Sequence, residues 1–183
     1  MKDPIQVRFS GAGGQGLITA GVILAEAAMS EGLNVVQTQT YGPEARLGSS
    51  KSEVIISSGR IAYPEVTVPD VLLCMSQEAA RKYLAKVAPE TIVIVDATNV
   101  PADIPTPGRV VRLAITDVAV KVGSKVVANT VALSALNTVV PIVSRDALRK
   151  AIAARVPSKF RELNQRAGEA GEALAAEAAA ACA

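Results

Sequence analysis

A strand that runs into a glycine turn and then directly into a helix restricts the topologies open to a chain more than any other stretch of its length. Here Ile5-Gln-Val-Arg-Phe-Ser10 reads as a short strand, Gly11-Ala-Gly-Gly-Gln-Gly16 follows without a spacer, and from Leu17 to Glu31 the apolar spacing turns helical. Ile18, Val22, Leu24, Ala25 and Ala28 share one broad face, and Gly32 stands at the stop. Asn34–Thr40 is the next strand. Strand, turn, helix and strand in this order form a βαβ unit, which predicts a parallel sheet with a right-handed crossover.

The remaining pattern extends that sheet. Lys51–Ser57 alternates like a half-buried strand, whereas Val71–Met75 and Thr91–Val95 are compact apolar runs of the kind covered on both faces. Arg109–Leu113 is a further strand beyond a Pro-rich connection at residues 101–108. Helical stretches are expected from Ser76 (as N-cap) to about Val87, at Thr116–Val122, at Asn129–Val139 and at Ser144–Ala154. From about residue 158 a helical tail runs into almost pure alanine. The prediction is α/β with a mostly parallel sheet, and the 183 residues suit one module, 1–183, with that tail attached.

Composition excludes several kinds of chemistry. There is no His, so the usual general base and the commonest metal ligand are missing. Cys74 and Cys182 are far apart and form no CxxC pair, whereas a Cys-ligated cluster or structural zinc takes about four ligands. No catalytic residue and no metal ligand is assigned. A net charge of +2 from scattered basic residues marks neither a nucleic-acid stripe nor a membrane anchor. The amino terminus lacks a signal-peptide pattern and no apolar run reaches the ~18 residues of a membrane span, so a cytoplasmic protein with reduced thiols is expected.

Gly11, Gly13 and Gly16 match GxGxxG between a strand and a helix, the context that motif requires. A helix starting near Gln15 would offer free N–H groups and a partial positive charge to an anion. An anion-holding loop and a plain tight βα turn both satisfy these glycines. NAD fits poorly. A dinucleotide fold places an Asp or Glu about 20 residues further on to hold the ribose, and the strand there reads Asn34-Val-Val-Gln-Thr-Gln-Thr40.

Taken together, the residues resemble the gamma subunit, or domain III, of the pyruvate/2-oxoacid:ferredoxin oxidoreductase family. The resemblance rests on Phe9-Ser-Gly-Ala-Gly-Gly-Gln-Gly16 with its Ala-rich helix, and on Gln37-Thr-Gln-Thr-Tyr-Gly-Pro-Glu-Ala-Arg46. Ser52–Ser57, Tyr63-Pro64, Pro69-Asp70, Ser76-Gln-Glu-Ala79, Ala128-Asn129 and Leu163-Asn164 continue it almost to the tail. One residue departs from the pattern: Leu47 stands where relatives carry small, glycine-rich residues. The resemblance implies a Rossmann-like three-layer fold inside an EC 1.2.7-type complex that oxidatively decarboxylates a 2-oxoacid to acyl-CoA and CO2. 2-Oxoglutarate is the first expected substrate, with branched-chain 2-oxoacids and pyruvate behind. It also implies alpha and beta partner subunits, with or without a ferredoxin-like delta chain, that hold thiamine diphosphate, magnesium and iron–sulfur clusters and pass electrons to ferredoxin. This chain alone would bind none of these groups and would help to form the coenzyme A access region. A free-standing nucleotide-binding oxidoreductase and a purely structural subunit are the alternatives.

On that reading Gly11, Gly13, Gly14, Gln15, Gly16, Tyr41 and Arg46 are the candidate cofactor-binding residues. Arg46 offers a fork of donors suited to phosphate, although a solvated loop would explain Tyr41 and Arg46 as well. Asp96 ends a strand where open α/β sheets bind ligands, or else caps its turn. Asn129 reads as a helix N-cap, and Cys74 as an inert buried thiol. The purified chain is expected to be colourless and to leave oxoacids untouched; stoichiometric iron–sulfur absorption, or decarboxylation without partners, would contradict this.

Overall fold

The computed structural model describes residues 2–40 and 49–181. Six strands, β1 (Ile5–Ala12), β2 (Asn34–Thr40), β3 (Ser49–Ser57), β4 (Val71–Cys74), β5 (Ile92–Asp96) and β6 (Arg109–Leu113), form one sheet in the order β2-β3-β1-β4-β5-β6. β1, β4, β5 and β6 pair in parallel, and β3 is antiparallel to both β1 and β2. β2 therefore runs in the direction of β1 but two places away. The βαβ expectation holds for strand direction and misses the returning β3, which fills the gap.

The helices are α1 (Leu17–Ser30), α2 (Gln77–Tyr83), α3 (Ile115–Val122), α4 (Ala128–Val139), α5 (Arg145–Arg155) and α6 (Arg161–Ala181). Successive strand residues point to opposite faces, and two cores result. Val71, Leu73 and Ile94 join Val7, Phe9, Val54 and Ile56 beneath α1 and α3–α6. Leu72, Cys74, Val93 and Val95 pack against Ala79, Ala80 and Leu84 of the α2 region. That double burial is why β4 and β5 are continuous apolar runs. α1 buries a wider arc than its spacing suggested: Ala20, Ile23 and Ala27 are fully buried, while Ile18 and Val22 remain half-exposed. The helix lies between β3 and α5, so a single stripe does not suffice.

Helix ends follow their local chemistry where polar caps were read. The Ser76 and Ser144 hydroxyls accept from the N–H groups of Ala79 (3.2 Å) and Ala147 (3.1 Å), capping α2 and α5. Cys74 is fully buried, and burial pushes its thiol up to about 12.

The far end of the chain is packed against the molecule's own α4. Asn164, Ala167, Gly168, Gly171 and Ala175 form the buried stripe of α6, all small or short side chains that let two backbones approach. At Gly171 a Cβ would lie 2.3 Å from the Val131 carbonyl oxygen. Thr130 donates to Asn164 Oδ1 (2.6 Å) across the same contact. None of the helices among the described residues is long and apolar enough to cross a membrane.

A buried ionic group crosses the α2 side of β1 and β3. Arg8 Nε donates to Glu53 Oε1 (2.7 Å) and its Nη2 to the Val66 carbonyl (2.6 Å), while Lys51 Nζ meets Glu53 Oε2 at 2.9 Å. The guanidinium also lies 5.4 Å from the Tyr83 ring centroid. Both charges of the central pair are nearly out of water, so removing one partner would cost about 3–5 kcal/mol.

The two α6 glycines make opposite predictions. Gly171→Ala forces two backbones apart and is expected to cost about 1–3 kcal/mol, lowering Tm by about 2–4 °C per kcal/mol. Gly168→Ala meets only the rotatable Ser134 hydroxyl, 3.3 Å away, and should be neutral or stabilising. Equal Tm values for the two variants would contradict the close α4–α6 contact.

Candidate functional site

The connections from β1 and β4 diverge. α1 carries the chain from β1 toward β2 on one face, and α2 carries it from β4 toward β5 on the other. The carboxyl ends of β1 and β4 therefore flank a topological switch point, the place where open α/β sheets bind ligands. The glycine loop stands at that point.

The loop is shaped from within. Gln15 folds its side chain back so that Oε1 accepts from the Ala12 N–H (2.7 Å) and Nε2 donates to the Met75 carbonyl (3.0 Å). Its own N–H donates to Ala12 O at 3.3 Å, closing the turn. Gly11 makes room for this arrangement, because a Cβ there would lie 2.3 Å from Gln15 Oε1. Gly16 sits at φ 71° as the N-cap of α1, against the side chain of Asn129, whose Nδ2 donates to Gly16 O at 3.4 Å. Gly13 and Gly14 are exposed at the tip. Among the described residues no side chain caps α1, and no acidic residue occupies its first turn. Among those residues its first N–H groups find no partner, and they carry the positive end of the helix dipole. Phosphate or carboxylate fits such a place, and an extended apolar group does not.

The predicted residues thus divide. Gly13, Gly14 and Gly16 come together with the start of α1, as the motif suggested. Gly11 and Gln15 lie beneath them, and Gln15 has committed both amide atoms and its N–H inside the protein. Tyr41 and Arg46 lie outside the described residues. The flanking Thr40 and Ser49 end the sheet level with the glycine loop, since Ala12 pairs with Ser49 and Thr40 with Lys51.

Asp96 resolves to a cap. Its fully buried carboxylate accepts from Thr98 N (3.2 Å), Asn99 Nδ2 (2.6 Å), Thr116 N (3.2 Å) and Thr116 Oγ1, tying its own turn to the start of α3. Asn129 is corrected. Val127 occupies the N-cap of α4 with no side-chain cap, and Asn129 turns to the glycine loop instead. That contact joins positions 113 residues apart, and no local pattern announces it. Among the described residues no group of three or more His, Cys, Asp or Glu converges as a metal site would require.

Comparison with known proteins places this geometry. The model of the pyruvate ferredoxin/flavodoxin oxidoreductase family matches residues 6–174. The chain is 42% identical over 176 residues to the 2-oxoglutarate synthase subunit KorC of Methanocaldococcus jannaschii, covering 94% of each chain. It superposes with a TM-score of 0.82 and 44% identity on the gamma subunit of a keto/oxoacid ferredoxin oxidoreductase from Geobacter sulfurreducens, covering 94% of this chain and 99% of that one. A 2-oxoglutarate:ferredoxin oxidoreductase from Magnetococcus marinus, solved with 2-oxoglutarate, coenzyme A and succinyl-CoA bound, matches at TM-score 0.87 and 26% identity, over 97% of this chain and 32% of that one. With its six-stranded sheet, its uncapped glycine loop and these relatives, the chain belongs to the pyruvate ferredoxin/flavodoxin oxidoreductase family as a gamma-type subunit.

Proposed function

We propose that the chain serves as the gamma subunit of a 2-oxoglutarate:ferredoxin oxidoreductase and that its glycine loop borders the coenzyme A region of that complex. The observation that carries the substrate branch is the 42% identity to a 2-oxoglutarate synthase subunit over 94% of both chains. The start of α1, uncapped by any side chain among the described residues, supports the loop assignment, because coenzyme A brings phosphates and α1 presents N–H donors at a sheet switch point. On this reading Gly13, Gly14 and Gly16 border the phosphates, Gly11 and Gln15 shape the turn, and Tyr41 and Arg46 are further candidate coenzyme A contacts. Decarboxylation and electron transfer belong to alpha and beta partners holding thiamine diphosphate, magnesium and iron–sulfur clusters, with ferredoxin as acceptor and the cytoplasm as compartment.

Gly13 gives the sharpest test. It is exposed and, unlike Gly14 (φ 84°) and Gly16, is not at positive φ, so a side chain there brings no left-handed backbone strain. In the co-expressed complex, Gly13→Val is expected to leave Tm and the KM for 2-oxoglutarate unchanged while raising the KM for coenzyme A about tenfold or more. Arg46→Ala should raise it about ten- to a hundredfold, the range of a charge-assisted hydrogen bond, and Arg46→Lys should not restore it. Full coenzyme A affinity in all three variants would leave the purely structural reading.

A further inference from the structure

We infer that Gln15 is the positioning residue of the glycine loop: its carboxamide locks the loop to the end of β4 and holds the α1 donors in a ligand-ready arrangement. The inference rests on the coenzyme A reading of the loop and goes beyond it by naming what fixes the loop.

β1 and β4 stop pairing at Ser10 and Cys74, and their chains then leave on opposite faces of the sheet. One backbone bond continues the contact, from Met75 N–H to Ser10 O (2.8 Å). Beyond it the Gln15 side chain is the connection, taking the Ala12 N–H on its oxygen and giving its N–H to the Met75 carbonyl. Met75 is followed immediately by Ser76, the cap of α2, so the glycine loop and the start of α2 are held as one unit. On the α1 side Asn129 holds Gly16. The loop is thereby gripped by α4 and by the end of β4, and its exposed tip is Gly13-Gly14.

The same carboxamide spans the gap between the β1 and β4 ends. A ligand meeting this loop therefore rests over Gly13 and Gly14 rather than entering between the strands. Together with β3, which separates β1 from β2, this takes away two features that a bound dinucleotide uses in a Rossmann crevice.

The chemistry of the bridge provides the test. A carboxamide accepts on one atom and donates on the other. In Gln15→Glu the ionised carboxylate can still accept from Ala12 N–H but turns a lone pair toward the Met75 carbonyl. Protonation restores the missing donor, and the carbonyl raises the pKa of that carboxyl by disfavouring its charged form. In the complete complex at about pH 8, a pH well above an ordinary carboxyl pKa, Gln15→Glu should raise the KM for coenzyme A about five- to tenfold, as expected for one or two neutral hydrogen bonds. The KM for 2-oxoglutarate and subunit assembly should be unchanged. The ratio of the variant's KM to the parent's should fall toward unity as the pH is lowered to about 6, within reach of a raised carboxyl pKa. Gln15→Met, which has similar length and neither hydrogen bond, should show the same increase with no dependence of that ratio on pH.

An unchanged coenzyme A KM in both variants, with Gly13→Val impaired, would overturn the positioning role and leave the coenzyme A reading standing. Unchanged values in all three would overturn both. A pH-independent ratio for Gln15→Glu would also overturn it, since restoring the donor to the Met75 carbonyl by protonation would then bring nothing back.

Discussion

β1 is the strand on which the two directions of the sheet meet. It pairs antiparallel with β3 from Ile5 to Ala12 and parallel with β4 from Val7 to Ser10. Ile5, Val7 and Phe9 enter the large core, and Arg8 points the other way into its buried pair with Glu53. Such a strand cannot slip by one residue, because that would place Arg8 under five helices and Phe9 against a carboxylate. Its fixed register sets the height of Gly11 and Ala12 at the sheet end, and with it the position of Gln15, Gly16 and the first turn of α1.

The two faces of the sheet are covered unequally, and the inequality bears on function. α1 and α3–α6 form a thick layer on one side, with α6 seated on α4 through glycine and alanine. On the other side α2 is a single short helix, and the ionic group of Arg8, Glu53 and Lys51 replaces apolar cover near β3. The thick layer supplies Asn129 to the glycine loop, and the chain leaving β4 for α2 supplies the Met75 carbonyl, the Met75 side chain itself lying in the large core. The loop is thereby tied both to α4 and to the end of β4, which would hold the shape of the coenzyme A contact proposed for it.

Most of the fold was legible because local rules were strong. β2 and β6 fall at their predicted bounds, Ser76 and Ser144 cap as read, and the apolar runs of β4 and β5 are buried on both faces. The misreadings are non-local. Nothing between Thr40 and Ser49 says that β3 will enter between β1 and β2, because strand order is decided by which faces can be buried together. The alanine-rich end reads as a helix and is one, α6, but its seat on α4 was not announced because that contact needs only small residues and carries no large apolar signal. Asn129 looked like a cap because asparagine commonly is one at a helix start, whereas its partner Gly16 lies in another part of the sequence. At the site, the glycines were visible as a motif; that Gln15 supports them from below depends on Met75 being brought to the end of β4.

A loop organised by its own glutamine and bordered by glycine is proposed to meet coenzyme A while the chemistry proceeds in partner chains. Hydrogen–deuterium exchange on the assembled complex, with and without coenzyme A, measures this most directly. Added coenzyme A should slow exchange in the peptide spanning Gly11–Ile18, where no side chain among the described residues caps the first N–H groups of α1. Protection confined to partner-subunit peptides, with Gly11–Ile18 exchanging at an unaltered rate, would contradict the account.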